Sequence, residues 1–134
     1  MKYLGIDYGE KRVGIAVSDE DGIMAFPLDV LSNDKRLTTR IREICKREKA
    51  EAIVIGESKD LAGKDNAIMP GARSLVSALK KEVGLPVSWE SELFTSAEAE
   101  RIQGKHGMLD ASAAAIILKS YLDKKGAKVQ KSKK

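Results

Sequence analysis

Three acidic side chains stand where the chain could bring them to work together. Asp7 lies in LGIDYGEKRVGIAVSD, residues 4–19, between an apolar run and a glycine turn; Glu92 comes just after the apolar stretch LPVSW; Asp110 opens the alanine-rich run ASAAAIILKSYLD. Carboxylates gathered in one pocket repel one another, so their convergence demands a divalent cation. Hard oxygen donors select magnesium or manganese, and the single histidine and single cysteine exclude a zinc-type cluster. Each acid also has an ordinary reading. Asp7 can be a turn former, Asp110 an N-cap and Glu92 a surface glutamate, and spacing alone leaves these readings open.

Whether they converge depends on the elements that carry them. Tyr3–Asp7 and Val13–Ser18 read as strands joined by the turn YGEKR, and Met24–Val30 as a third strand that Pro27 confines to an edge or a bulge. Ser32 or Asn33 can cap a helix running to about Lys49, with Leu37, Ile41, Ile44 and Cys45 on its inner face, which makes Cys45 a core thiol. AEAIVIG, residues 50–56, has the continuous β-branched character of a strand buried on both faces. Ile68, Ala72, Leu75, Val76, Leu79 and Val83 then give helical periodicity, with Pro70 in the first turn and Gly84 as the stop. Leu85–Trp89 is a fifth strand, Thr95 with Glu98 caps a helix over SAEAERIQ, and a last helix starts at Asp110. Three antiparallel strands followed by parallel crossovers predict an α/β fold, a mixed five-stranded sheet flanked by helices. In open sheets of this kind the site lies beyond the strand ends, where the three acids fall.

Composition narrows the classes. At 134 residues one domain is expected, and one cysteine excludes an internal disulfide framework. No apolar run reaches the roughly 20 residues of a membrane span, so the expectation is a cytoplasmic protein with no membrane partner. The net charge of +4 is concentrated at one end: KKGAKVQKSKK, residues 124–134, holds six of the 24 basic side chains and no acid, leaving 18 basic against 20 acidic groups in residues 1–123. Residues 1–123 are therefore expected to form the domain, and 124–134 a lysine-rich disordered tail or a nonspecific phosphate-binding arm.

Taken together, LGIDYGEKRVGIAVSD, IVIGESKDLAGK, WESELFTSAEAE and LDASAAAIILKSYLD resemble, in order, the motifs of the YqgF/RuvX family over about residues 2–123. Its members are ribonuclease H-like and described as pre-16S rRNA nucleases or Holliday junction resolvase-like proteins. The resemblance implies that Asp7, Glu92 and Asp110 are the metal-binding and catalytic triad, holding Mg2+ or Mn2+ for two-metal phosphodiester hydrolysis. It implies a nucleic-acid partner, pre-rRNA in preference to a four-way DNA junction. Two cuts on a junction would favour a homodimer, whereas trimming precursor RNA needs one site.

The chain departs from the family pattern at Ser91 and Leu93, which replace the acid and arginine that usually flank the glutamate, and at Glu57 and Ser58. Its segment 101–109 lacks the basic cluster usual there. Lys11, Arg12 and Lys59 are the cations best placed to meet a phosphate. Lys35, Arg42, Lys46 and Lys49 form a stripe at helical spacing that reads as a solvated face. His106 receives no role, and Trp89 reads as core or rim. Two rival classes remain: a catalytically silent nucleic-acid-binding or ribosome-associated module, and a nucleotide-binding domain, since strand–DxG–turn–strand also resembles the first phosphate loop of sugar kinases and actin-like ATPases. Those enzymes need two such domains, and 134 residues provide one.

Overall fold

The computed structural model describes residues 1–58, 69–92 and 109–132. Among the described residues, five strands and three helices follow in the order β1 (Tyr3–Tyr8), β2 (Arg12–Ser18), β3 (Ala25–Ser32), α1 (Leu37–Glu48), β4 (Ala52–Ser58), α2 (Met69–Glu82), β5 (Val87–Glu92) and α3 (Leu109–Ser132). They form one mixed sheet of strand order β3-β2-β1-β4-β5. The first three strands are antiparallel, while β1, β4 and β5 run parallel. The helix expected from Thr95, like Lys59, Leu93 and His106, lies outside the described residues.

Alternation along the strands divides the interior in two. Leu4, Ile6, Val13, Ile15, Ile53 and Ile55 point to one face, where α1 contributes Leu37, Ile41, Ile44 and Cys45 and α2 contributes Met69, Ala72, Leu75, Val76 and Leu79. Trp89 packs half-buried against this cluster, at its rim. Tyr3, Ala16, Ala52 and Val54 point to the other face and meet Ala114, Ile117, Leu118 and Leu122 of α3. The small residues on this side let α3 lie close: a side chain added at Gly5 would put its Cβ 2.8 Å from the Leu118 Cβ and 3.1 Å from the Ala114 carbonyl oxygen.

Local chemistry sets the boundaries. Pro70 falls in the first turn of α2, where its missing N–H is no loss, and Gly84 takes φ +78° just past the helix end. The pairing of β2 with β3 skips a residue between Ile15↔Asp29 and Ala16↔Pro27, a bulge beside Pro27 on an edge strand. Asp29 Oδ1 accepts its neighbour Val30's amide at 2.8 Å, so that amide is not offered to another strand. Helix α1 starts later than expected, at Leu37, with no side-chain cap. Asp34 instead accepts the Arg36 amide at 2.9 Å, and Asn33 turns back towards the β1–β2 turn.

The boundary expected at residue 123 falls inside a continuous helix, since α3 runs on to Ser132. Lys124 and Lys125 are anchored to the body. The Lys124 ammonium lies 2.6 Å from Glu90 Oε2, and that of Lys125 sits 5.1 Å above the Tyr3 ring. Among the described residues no helix is long and apolar enough to cross a membrane.

Candidate metal centre at the strand ends

Asp7 is the next-to-last residue of β1. Because Leu4 and Ile6 face α1 and α2, alternation turns Asp7, with Tyr3 and Gly5, towards α3, and its side chain is half-buried there. Its cross-strand partner on β2 is Gly14. Extending the β1–β4 register by one residue beyond Ile6↔Ile55 brings Gly56 to its other side. Asp7 therefore stands in a row whose neighbours carry no side chains, which clears space around the carboxylate.

The turn beyond Asp7 is equally constrained. A Cβ on Gly9 would fall 2.3 Å from the Arg12 carbonyl oxygen, so only glycine fits. Asn33 braces the same turn twice, its Nδ2 donating to the Gly9 carbonyl at 2.9 Å and its amide to the Lys11 carbonyl at 2.9 Å. Tyr8 points the opposite way from Asp7, its ring against Gly71 in the first turn of α2. Asn33, expected as a helix cap, thus serves the strand end that carries Asp7. Its Asx-type preference for turns was visible in the sequence, but which turn it would join was not.

Glu92 ends β5, opposite Ser58 at the end of β4, and Ser88 and Glu90 earlier on the strand bond to α3. Asp110 lies in the first turn of α3. The helix runs antiparallel to β1: Tyr3 stacks near Tyr121 with ring centroids 5.9 Å apart, and Gly5 abuts Ala114 and Leu118. One more step along β1 and one more turn along α3 set position 7 against the start of the helix. At backbone level, positions 7, 92 and 110 therefore share one end of the sheet. Strands β1 and β5 are two spacings apart, about 10 Å.

Lys11 and Arg12 sit exposed at this end, in and just after the turn braced by Asn33. The stripe of α1 does not. Arg42, Lys46 and Lys49 line a recess of about 560 Å³ with Glu51, Glu82, Val83 and Leu85, where β4 and β5 begin, so it lies at the opposite end of the sheet and is partly balanced by acids. Lys35 precedes α1 altogether. Glu90 was passed over by sequence reasoning. It is only 4% exposed and its Oε2 accepts Ser120 Oγ at 2.7 Å and Lys124 Nζ at 2.6 Å. An acid two residues before Glu92 on a short strand was a signal, since that spacing returns to the same face. Among the described residues no group of three or more His, Cys, Asp or Glu side chains is gathered for a metal, and the side chains of positions 92 and 110 lie outside those described.

The architecture is that of the ribonuclease H-like α/β proteins. It is similar to RuvC of Thermus thermophilus, with a TM-score of 0.63 at 20% identity over 95% of this chain and 97% of that one. The Holliday junction resolvase of fowlpox virus also matches, with a TM-score of 0.55 at 13% identity over 92% and 99% of the two chains. By sequence the chain belongs to the RuvX family, described as Holliday junction resolvase, which matches residues 1–124. A relative from Maridesulfovibrio salexigens is 37% identical, covering 91% of this chain and 98% of its own, and one from Nitratidesulfovibrio vulgaris is 39% identical, covering 92% and 94%. Both carry the name "Putative pre-16S rRNA nuclease".

Proposed function

We propose that this chain is a divalent-cation-dependent endonuclease that cuts structured nucleic acid, with precursor 16S rRNA as its substrate and the cytoplasm as its place of action. One observation supports the site above all: Asp7 near the end of β1, Glu92 at the end of β5 and Asp110 in the first turn of α3 lie at one end of the sheet. The relatives' shared name supports the substrate.

The donor set fits the group it would need. Asp7 has glycine as its neighbour on β2, and all three candidate donors are carboxylates, which suit Mg2+ or Mn2+ rather than a softer metal. When bound, such ions lower the pKa of a coordinated water and stabilise charge on the leaving oxygen. The chain's own contribution is positional. Asp7 is held by a glycine turn that Asn33 pins, Glu92 extends from β5, and Asp110 enters on the first turn of α3. Lys11 and Arg12 supply cations to orient the phosphodiester at the mouth of the site, a pairing that weakens with salt, and Lys59 is the further candidate from the sequence. No protein nucleophile or histidine is required.

The family's own description favours a second reading, resolution of four-way DNA junctions, for which a symmetric dimer would present two such sites. One experiment separates the readings. The purified chain is incubated with a precursor 16S rRNA fragment and a synthetic junction in parallel, with magnesium, manganese or EDTA. RNA cleavage that needs the cation, with the junction intact, is the expected result. Junction cleavage alone would establish the second reading, and binding of both without cutting either would make the chain a silent module. Stabilisation by ATP would point to the kinase-like class.

A further inference from the structure

Glu90 is a buried carboxylate that the reaction does not use. Burying a charge is costly unless it is paired, and this one is paired to a single element: Ser120 Oγ at 2.7 Å and Lys124 Nζ at 2.6 Å, both on α3. One rung earlier on the same strand, Ser88 Oγ accepts the Tyr121 hydroxyl at 3.4 Å. These contacts tie β5, which ends in Glu92, to α3, whose first turn holds Asp110. We propose that Glu90 is a positioning residue, a clamp that holds α3 against β5 so that the acids at their two ends keep their separation. The proposal rests on the reading of Asp7, Glu92 and Asp110 as metal ligands.

The leverage follows from helix geometry. Helix α3 bears on β1 at Gly5, where Leu118 and Ala114 leave no room for a Cβ, so this contact acts as a pivot centred near residue 116. The clamp spans Ser120 to Lys124, centred six residues beyond the pivot, and Asp110 lies six residues before it. At about 1.5 Å per residue both arms are about 9 Å long, so slack of about 1 Å at Glu90 swings the helix start by about as much. A misplacement of that size at reacting groups costs about 100-fold in rate.

Glu90 and Glu92 divide the labour on one strand. Glu90 has its charge met by an ammonium and a hydroxyl, which removes it as a competing ligand, while position 92 lies beyond the clamp at the end of the strand. An apolar pair at 90 and 124 would fill the same space, but it would lack the directional bonds that fix one orientation of the helix.

The test uses the full chain and the variants Glu90→Ala, Lys124→Met and Lys124→Arg. Without metal, amide hydrogen exchange in the first two turns of α3 is expected to accelerate about 10-fold in Glu90→Ala and Lys124→Met and to return to the wild-type rate in Lys124→Arg. Manganese binding, read from the resonance of the free ion, should weaken about 10-fold, and kcat should fall about 10–100-fold with KM for the nucleic acid nearly unchanged. Folded Glu90→Ala with unchanged exchange in those turns would overturn the clamp. Should that variant not fold, Lys124→Met, at a side chain 64% exposed, decides the same comparison. Wild-type chain that binds no manganese would remove the metal-centre reading, while the exchange comparison would still decide the clamp.

Discussion

The two faces of the sheet are packed by opposite means. On the α1 and α2 side, long aliphatic side chains interlock: Leu4, Ile6, Ile15, Ile53 and Ile55 against Leu37, Ile41, Leu75 and Leu79. On the α3 side, glycine and alanine bring backbones together at Gly5, Ala16, Ala52 and Ala114, Ile117, Leu118 and Leu122 pack beside them, and buried polar groups join the contact. Ser18, 2% exposed, accepts the Tyr3 amide at 2.8 Å, and Glu90 holds Ser120 and Lys124. The aliphatic face supplies most of the burial, each such side chain contributing roughly 1.5–3 kcal/mol. The small-residue face supplies placement, because a helix seated on glycine has few positions open to it. The candidate site lies on the face where placement matters most.

That contrast can be broken at either face. The largest effect is expected from Asp7→Asn, which removes a charge and keeps the shape: cleavage should fall by about 10³-fold or more, roughly 4 kcal/mol in the barrier, with little change in thermal midpoint. Full cation-dependent activity in this variant would end the catalytic assignment. On the aliphatic face, Ile41→Ala should cost about 2–5 kcal/mol in a urea titration and leave the rate of the folded enzyme near wild type. A rate loss matching that of Asp7→Asn would show that the faces do not divide their roles.

Gly5→Ala sharpens the comparison, since its Cβ would meet Leu118 at 2.8 Å and force α3 outward. We expect a loss of about 1–3 kcal/mol in stability, smaller than for Ile41→Ala, with a larger loss of cleavage. Equal activity at equal folding would mean that the seat of α3 is not critical. The smallest effect concerns Cys45 in the aliphatic core, whose thiol burial pushes up to about 11. A thiol held protonated by the fold contributes stability that is present below its ordinary value and lost as pH rises from about 9 to about 11. Urea midpoints should fall modestly across that window, and iodoacetamide should label Cys45 only after unfolding. Rapid labelling of the folded chain at pH 8 would show that this face opens.

Some of the architecture was legible because it depends on neighbours in the chain. Alternation at Val13 and Ile15, helical spacing at Leu37, Ile41, Ile44 and Cys45, Pro70 in a first turn and Gly84 past a helix end are all local choices, and the structure carries each one. Long-range choices were read less well. Asn33 has the chemistry of a helix cap and of a turn brace, and only the return of the chain past Gly9 selects the second. Lys124 belongs by composition to the lysine-rich end, and its ammonium meets a buried glutamate 34 residues away. The stripe of Arg42, Lys46 and Lys49, read as a solvated face, does line an open recess, and the parallel crossover puts that recess at the end of the sheet remote from Asp7.

By itself, then, the sequence determined the five strands, the three described helices, the core faces and the candidate acids, because period and side-chain type act over a few residues. Only the tertiary structure decided which strand ends lie side by side, that glycine flanks Asp7 on β2, and that Glu90 answers to α3. Those outcomes depend on strand order and on how closely a helix can approach a sheet, and both are settled by packing among residues far apart in the chain.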